Sequence, residues 1–357
     1  MPGRILAAAL LLATVISARA QWDPQASHTT ANLRGIHAVN DAVAWASGAD
    51  GTILRTENGG RDWLRCATPP DAGKLDFRGV WAWDAQSAMA MSSGPGEQSR
   101  VYKTTDGGAH WTEELKNSDK DGFWDALVFG AHGGGKTGVL IGDPVGGRFY
   151  TDILLPDHRW SHDDAACAAR DGEAAFAASN TSAFVFGLRR YILVTGGKPG
   201  PRALLSPLLA SNDSAKDCLE MPLPLAGGNE SSGAFSVAFR DGEHGIAVGG
   251  DYKKPGDRDG TAAWSSDGGR HWTAASKPPH GYRSAVAWDA QAKAWIAAGS
   301  NGSDISRDDG KTWQNLDDGN WNALSLPYVV GPGGRLARLR GGAPMPQERS
   351  SPSGNLP

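Results

Sequence analysis

Three arginines stand in similar sequence contexts: Leu33-Arg34-Gly35-Ile36, Phe77-Arg78-Gly79-Val80 and Tyr282-Arg283-Ser284-Ala285. A guanidinium is a planar fork that takes a carboxylate through two parallel hydrogen bonds, so such a cluster would clamp an acidic ligand or an acidic protein segment. The plainer role for each is to pair with an acid of a neighbouring structural unit. Two acids stand outside any repeated pattern. Asp143 follows the apolar run Val139-Leu140-Ile141 and precedes Pro144, so it would either point into a cleft or turn the chain. Glu173 leads the small-residue run 174–179, which reads as an inner strand, and is either a functional acid or an exposed loop charge. Carboxyl groups placed roughly 5–10 Å apart would suit acid/base hydrolysis of a glycosidic bond. Tyr252, between Asp251 and Lys253, lies in a long segment, 251–260, and reads as a ligand contact or an ordinary surface loop. The acids of that segment lack calcium-loop spacing.

Other chemistries find no support. The nine histidines form no ligand-like spacing, and no Ser/His/Asp order stands out. Gly133-Gly134-Gly135 follows no strand-to-helix pattern and reads as a turn, so no phosphate-binding loop is expected. Charges of both signs are interspersed and the formal net charge is −4, which leaves no footprint for nucleic acid. No cofactor and no metal are expected.

The elements that position these residues follow from an internal repeat. Thr56-Glu57-Asn58-Gly59-Gly60-Arg61-Asp62-Trp63 recurs as Thr104-Thr105-Asp106-Gly107-Gly108-Ala109-His110-Trp111. It returns as Ser265-Ser266-Asp267-Gly268-Gly269-Arg270-His271-Trp272 and as Ser306-Arg307-Asp308-Asp309-Gly310-Lys311-Thr312-Trp313. The acid or amide at the third position can accept backbone N–H bonds within its own turn. Glycine at the fifth supplies a conformation closed to residues with a β-carbon. The tryptophan then opens the next strand and packs between sheets. Asn58, Asp106, Asp267 and Asp308 are therefore read as structural staples rather than catalytic or metal-binding acids.

Spacing exposes further, decayed copies. Trp160 follows Trp111 at nearly the interval that separates Trp111 from Trp63. Midway between Trp160 and Trp272 lies Ser211-Asn212-Asp213-Ser214-Ala215-Lys216-Asp217-Cys218, with alanine for the glycine and cysteine for the tryptophan. Asp213 thus joins the structural set. A seventh unit is split between Trp321–Ser325 with Arg335–Leu339 near one end and Trp22 near the other. With 48 glycines, 14 tryptophans and short apolar runs, the chain reads as all-β. Strand, turn, strand, turn, strand, octapeptide, strand makes a four-stranded antiparallel blade. The expectation is a seven-bladed β-propeller spanning residues 21–340, with the N-terminal strand completing the last blade. Ligands of such a ring meet the turns at the mouth of its central channel.

Residues 1–20 read as a signal peptide. Arg4 precedes an apolar run of residues 5–16, and Ala18-Arg19-Ala20 offers a cleavage site after Ala20. The apolar run is too short to span a bilayer, and no other stretch suits a transmembrane segment. A secreted or periplasmic protein is expected. Three cysteines, Cys66, Cys167 and Cys218, are too few for a disulfide scaffold, and their pairing stays open. Residues 341–357, rich in Pro, Ser and Gly, read as a disordered tail.

The octapeptides resemble those of Asp-box (BNR) repeat propellers, a group that includes sialidases and sortilin-type receptors. The chain is most similar to photosystem II stability/assembly factor-like proteins and their non-photosynthetic bacterial relatives. The likeness rests also on Leu33-Arg34-Gly35, Phe77-Arg78-Gly79, Ile141-Gly142-Asp143-Pro144, residues 172–179, Val248-Gly249-Gly250-Asp251-Tyr252 and residues 281–286. It implies a propeller that works by holding other molecules. We therefore expect a non-catalytic, monomeric binding or assembly scaffold. Its partner would be a protein segment or small acidic ligand, held at a mouth lined by Arg34, Arg78, Asp143, Glu173, Tyr252 and Arg283. The alternative is a sialidase-like glycoside hydrolase using carboxylates at the same mouth. Against it, the Arg-Ile-Pro segment of sialidases is absent near the first blade.

Overall fold

The computed structural model of the chain describes residues 21–340 except 131–136, 156, 164–165, 187–189 and 208–216. The expected signal peptide, the expected tail, Asp213 and the glycine turn at 133–135 lie outside the described residues. The strands form seven antiparallel sheets. Blade 1 comprises Leu33–Ala38, Ala44–Gly48, Thr52–Thr56 and Leu64–Arg65. Blade 2 comprises Phe77–Ala82, Ala88–Ser92, Arg100–Thr104 and Thr112–Lys116, and blade 3 Trp124–Phe129, Gly138–Val145, Arg148–Leu154 and Trp160–His162. Blade 4 holds Ala183–Phe186, Arg190–Val194, Arg202–Leu205 and Leu219–Pro222. Blade 5 holds Asn229–Phe239, Gly245–Asp251, Ala262–Ser265 and Thr273–Ala274, and blade 6 Ala285–Asp289, Ala294–Gly299, Gly302–Ser306 and Gln314–Asp317. Blade 7 joins Ala323–Ser325, Tyr328–Val330 and Leu336–Leu339 to Trp22–Pro24, which pairs with Leu336–Leu339 as the outer strand. The seven-bladed count and the N-terminal closure both hold. The middle strand of blade 7 lies between the two segments read from the sequence.

The octapeptide turns share one geometry. The hydroxyl at the first position accepts the N–H of the fifth-position glycine at 2.9–3.0 Å in all four copies. The third-position side chain accepts the N–H of the seventh residue, again at 2.9–3.0 Å. Gly60, Gly108, Gly269 and Gly310 all sit at φ 81°, the left-handed region that a β-carbon disfavours. Three of the four turns are also tied to the first hairpin of their own blade, Gly59 N–H to Ala42 O and Gly107 N–H to Gln86 O at 2.9 Å and Gly268 N–H to Glu243 O at 2.8 Å. Where the octapeptide has decayed the strand survives: Trp160 opens the outer strand of blade 3, and Cys218 immediately precedes that of blade 4.

Burial explains why the ring closes. The apolar residues fall into seven clusters, one at each contact between neighbouring blades. Leu33, Ala46 and Trp63 of blade 1 pack with Ala323, Tyr328 and Leu336 of blade 7, so the last interface is as apolar as the others. Second strands carry small side chains such as Ala44, Ala46, Ala88 and Ala90, fully buried where blades crowd the axis. Cys167 and Cys218 form a disulfide between the outer parts of blades 3 and 4, and Cys66 is free. Among the described residues no helix is long and apolar enough to cross a membrane.

Candidate functional site

First strands begin, and second strands end, at the face opposite the octapeptides. All six expected site residues lie at that face. Their environments differ.

Register decides which side chains look toward the axis. Leu33 pairs with Gly48, Phe77 with Ser92, Trp124 with Gly142 and Ala234 with Gly249, and a bulge follows immediately in each case. The bulged residues are Arg34, Arg78, Asp125 and Phe235. Bulges leave a residue outside the ladder and re-aim its side chain, and they recur beside binding sites. In blade 6, Ala285 pairs with Ala298, and Gly299 lies against the Cα of Arg283 as Gly48 lies against that of Leu33. Ser284, not Arg283, therefore holds the bulge. One residue of offset sends a side chain to the other face of a strand. Arg283 accordingly turns away from Arg34 and Arg78, although the sequence contexts of the three look alike. It is fully buried; its Nε donates to Asp304 Oδ2 at 2.7 Å and its Nη1 to Asn301 Oδ1 and Tyr282 O, both at 2.6 Å. His280 lies against the same guanidinium.

Arg34 and Arg78 do converge. Both donate to the carbonyl oxygen of Ala177, at 3.3 and 3.4 Å. Arg78 has a counter-ion, Asp76 Oδ2 at 2.8 Å, and lies 5.7 Å from the ring centre of Phe123. Arg34 has none: among the described residues no carboxylate comes within ion-pair distance of it, and its buried Nε has no hydrogen-bond partner. Burial first, and the charge of Arg78 second, hold its pKa below the ordinary arginine value.

Ala177 belongs to a segment that crosses the mouth. Glu173 was expected to lead straight into an inner strand; instead Glu173–Ala174 pairs with Gly196–Gly197, and the first strand of blade 4 starts only at Ala183. These two short strands add to blade 5 and make its sheet six-stranded. In between, the chain touches five other blades, which only the axis allows. Besides the Arg34 and Arg78 contacts, the Asn180 amide bonds both the N–H and C=O of Leu127 in blade 3, at 2.7 and 2.9 Å. Thr181 bonds Ser236 of blade 5, and Ser179 donates to Ser284 O beside blade 6. The Phe176 ring stacks on Phe235 with centroids 3.9 Å apart.

Glu173 anchors this segment. One carboxylate oxygen accepts Arg202 Nε and Thr195 Oγ1, both at 2.6 Å, and the other accepts Arg202 Nη2 at 2.5 Å and Arg170 N–H at 2.8 Å. Its side chain is 0% exposed, so neither oxygen faces a substrate. Asp143, half-buried, accepts the Ala175 N–H at 3.1 Å. Its carboxyl is raised to about 6, chiefly by burial. Beside it lies Asp125, which the sequence reading passed over. Burial, and then the charge of Asp143, push the Asp125 carboxyl far above the usual range, against hydrogen bonding from Ala177 N–H. The available signal was positional, since Asp125 occupies in blade 3 the place of Arg34 and Arg78. Tyr252 is 46% exposed on the loop after blade 5's second strand. Its ring meets Phe235 edge-on, centroids 6.2 Å apart, and Phe235 meets Tyr282 in the same way at 4.8 Å.

No protein-family model matches the chain, and no curated protein matches it in sequence. Solved structures are similar. A YCF48 with a D1 peptide bound matches 89% of this chain and 96% of its own at 17% identity and a TM-score of 0.56. The WD40 propeller domain of Doa1 matches over 87% and 93% at 12% identity, with a TM-score of 0.56. A YCF48 from Cyanidioschyzon merolae matches over 90% and 99% at 14% identity, with a TM-score of 0.44. At such identities the likeness is one of fold: the chain shares the β-propeller with the two structures matched at a TM-score of 0.56.

Proposed function

We propose that this protein is a non-catalytic binding or assembly-scaffold propeller that takes an acidic group, on a protein segment or a small ligand, at the face carrying Arg34 and Arg78. The observation that carries the reading is Arg34: a half-buried guanidinium that, among the described residues, has no carboxylate within ion-pair distance and leaves its buried Nε unpartnered. Buried donors are usually satisfied, and an unpaired guanidinium beside a second arginine on this face leaves room for an acidic partner. A carboxylate set against Arg34 and Arg78 would supply it. Asp143 lies at the rim of the same site, whereas Arg283 and Glu173 act here as supports, each committed to an internal ion pair. Tyr252 sits beside the site on its exposed side.

The resemblance to a YCF48 solved with a peptide favours a protein segment as partner, and with the sequence motifs it favours a place among photosystem II stability/assembly factor-like propellers. An extracytoplasmic location fits the expected signal peptide and a disulfide that reducing compartments would not preserve. Recovery of partners from a periplasmic extract tests the reading. The wild-type chain is expected to retain proteins that an Arg34→Ala/Arg78→Ala variant, shown to be folded by its thermal transition, does not. Equal recovery by the two would sink the arginine site.

A further inference from the structure

The arginine pair is flanked on one side by an aromatic shelf. Tyr282, a buried neutral phenol, lies near Arg34, Phe235 packs edge-on against Tyr282, and Phe176 stacks on Phe235. Tyr252 extends the shelf into solvent, 46% exposed, with Lys253 Nζ 6.0 Å from its ring centre. Along the crossing segment burial alternates: Glu173, Ala175, Ala177 and Ser179 are buried, while Ala174, Phe176 and Ala178 are half-buried. The segment therefore presents one side to the propeller and the other, two methyls and a phenyl ring, to the face where Arg34 and Arg78 lie.

A small acid would use the guanidiniums and leave this shelf wet. Resting on the proposal that an acidic group is bound there, we propose that the partner is an extended protein segment whose carboxylate lies next to an aromatic or large aliphatic side chain. The carboxylate sits on Arg34 and Arg78, and the apolar side chain covers Phe176 and Tyr252. Charge sets the first contact, since among the described residues no carboxylate lies within ion-pair distance of Arg34 and its Nε has no hydrogen-bond partner. Area sets the second, since aromatic rings dominate the energetics of such contacts.

Two short labelled peptides of equal net charge test this by fluorescence anisotropy, one with phenylalanines beside its aspartates and one with serines there. The wild-type chain is expected to bind the phenylalanine peptide about tenfold more tightly, the equivalent of about 1.4 kcal/mol. Tyr252→Ser, on an exposed loop, is expected to remove most of that preference. Arg34→Ala/Arg78→Ala is expected to abolish binding of both. Equal binding of the two peptides by wild type would overturn the shelf while leaving the acidic site standing. Binding of free glutamate, read by isothermal titration, with no binding of either peptide would do the same. If neither peptide nor glutamate binds, the acidic site falls as well.

Discussion

Replacing Asp143 by asparagine isolates what an ionised carboxylate costs at the mouth. The Oδ1 of Asp143 accepts the Ala175 N–H at 3.1 Å, and asparagine keeps that acceptor while losing the charge. Burial raises the carboxyl from its ordinary 3.8 to about 6, so the folded chain holds this proton more tightly than the unfolded chain does. The stability it contributes is complete below the unfolded value and is lost as the pH climbs through the folded one. A displacement from 3.8 to about 6 corresponds to roughly 3 kcal/mol across that window. Asp125, displaced in the same direction, reinforces the trend. Asp143→Asn should therefore match the wild type near pH 4 and exceed it by about 1–3 kcal/mol at pH 7.5. At roughly 2 °C per kcal/mol for a chain of this length, the melting temperatures should part by about 2–6 °C. Melting curves of both proteins at half-unit intervals from pH 4 to pH 8 would measure it. A gap independent of pH, or a variant less stable at pH 7.5, would show that Asp143 is stabilised in its charged form and refute the burial argument.

Three other outcomes are expected. Asn180→Ala removes both hydrogen bonds to Leu127 and should lower the unfolding free energy by about 2–4 kcal/mol in urea titrations. Arg283→Ala leaves buried Asp304 with His280 alone as its partner and should cost about 3–5 kcal/mol, yet the folded fraction should bind an acidic probe as the wild type does. Affinity for that probe should rise as pH falls from 7.5 to 5.5, because protonating Asp143 removes a negative charge from the same face; isothermal titration at several pH values would detect a flat response.

Much of the architecture was legible because the octapeptide encodes its own turn. Hydroxyl, acid, glycine and tryptophan each act within a few residues, so four copies revealed four third-to-fourth strand hairpins, and their spacing located the rest. The site was less legible because its geometry is non-local. Arg283 stands in a context much like those of Arg34 and Arg78, but the bulge falls one residue later in its blade, and no local pattern reveals that. Asp125 was hidden for the complementary reason: it shares their backbone position but not their chemistry. Glu173 looked like a loop charge or a channel acid, and only the fold brings Arg202 to it. The crossing segment carries a run of alanines without strong strand or turn signals, and its path is set by contacts with five blades.

The bulge that opens several first strands separates two demands that most binding surfaces must meet at once. Its backbone is held by the pairs on either side, whatever side chain it bears, as Arg34, Arg78, Asp125 and Phe235 demonstrate. A single-codon change at one of these places alters what the face offers without disturbing the sheet that carries it. The ring thus behaves as a rack of interchangeable tips on a common handle. Descendants of one propeller can acquire unrelated partners by small steps, none of which has to pass through an unfolded protein.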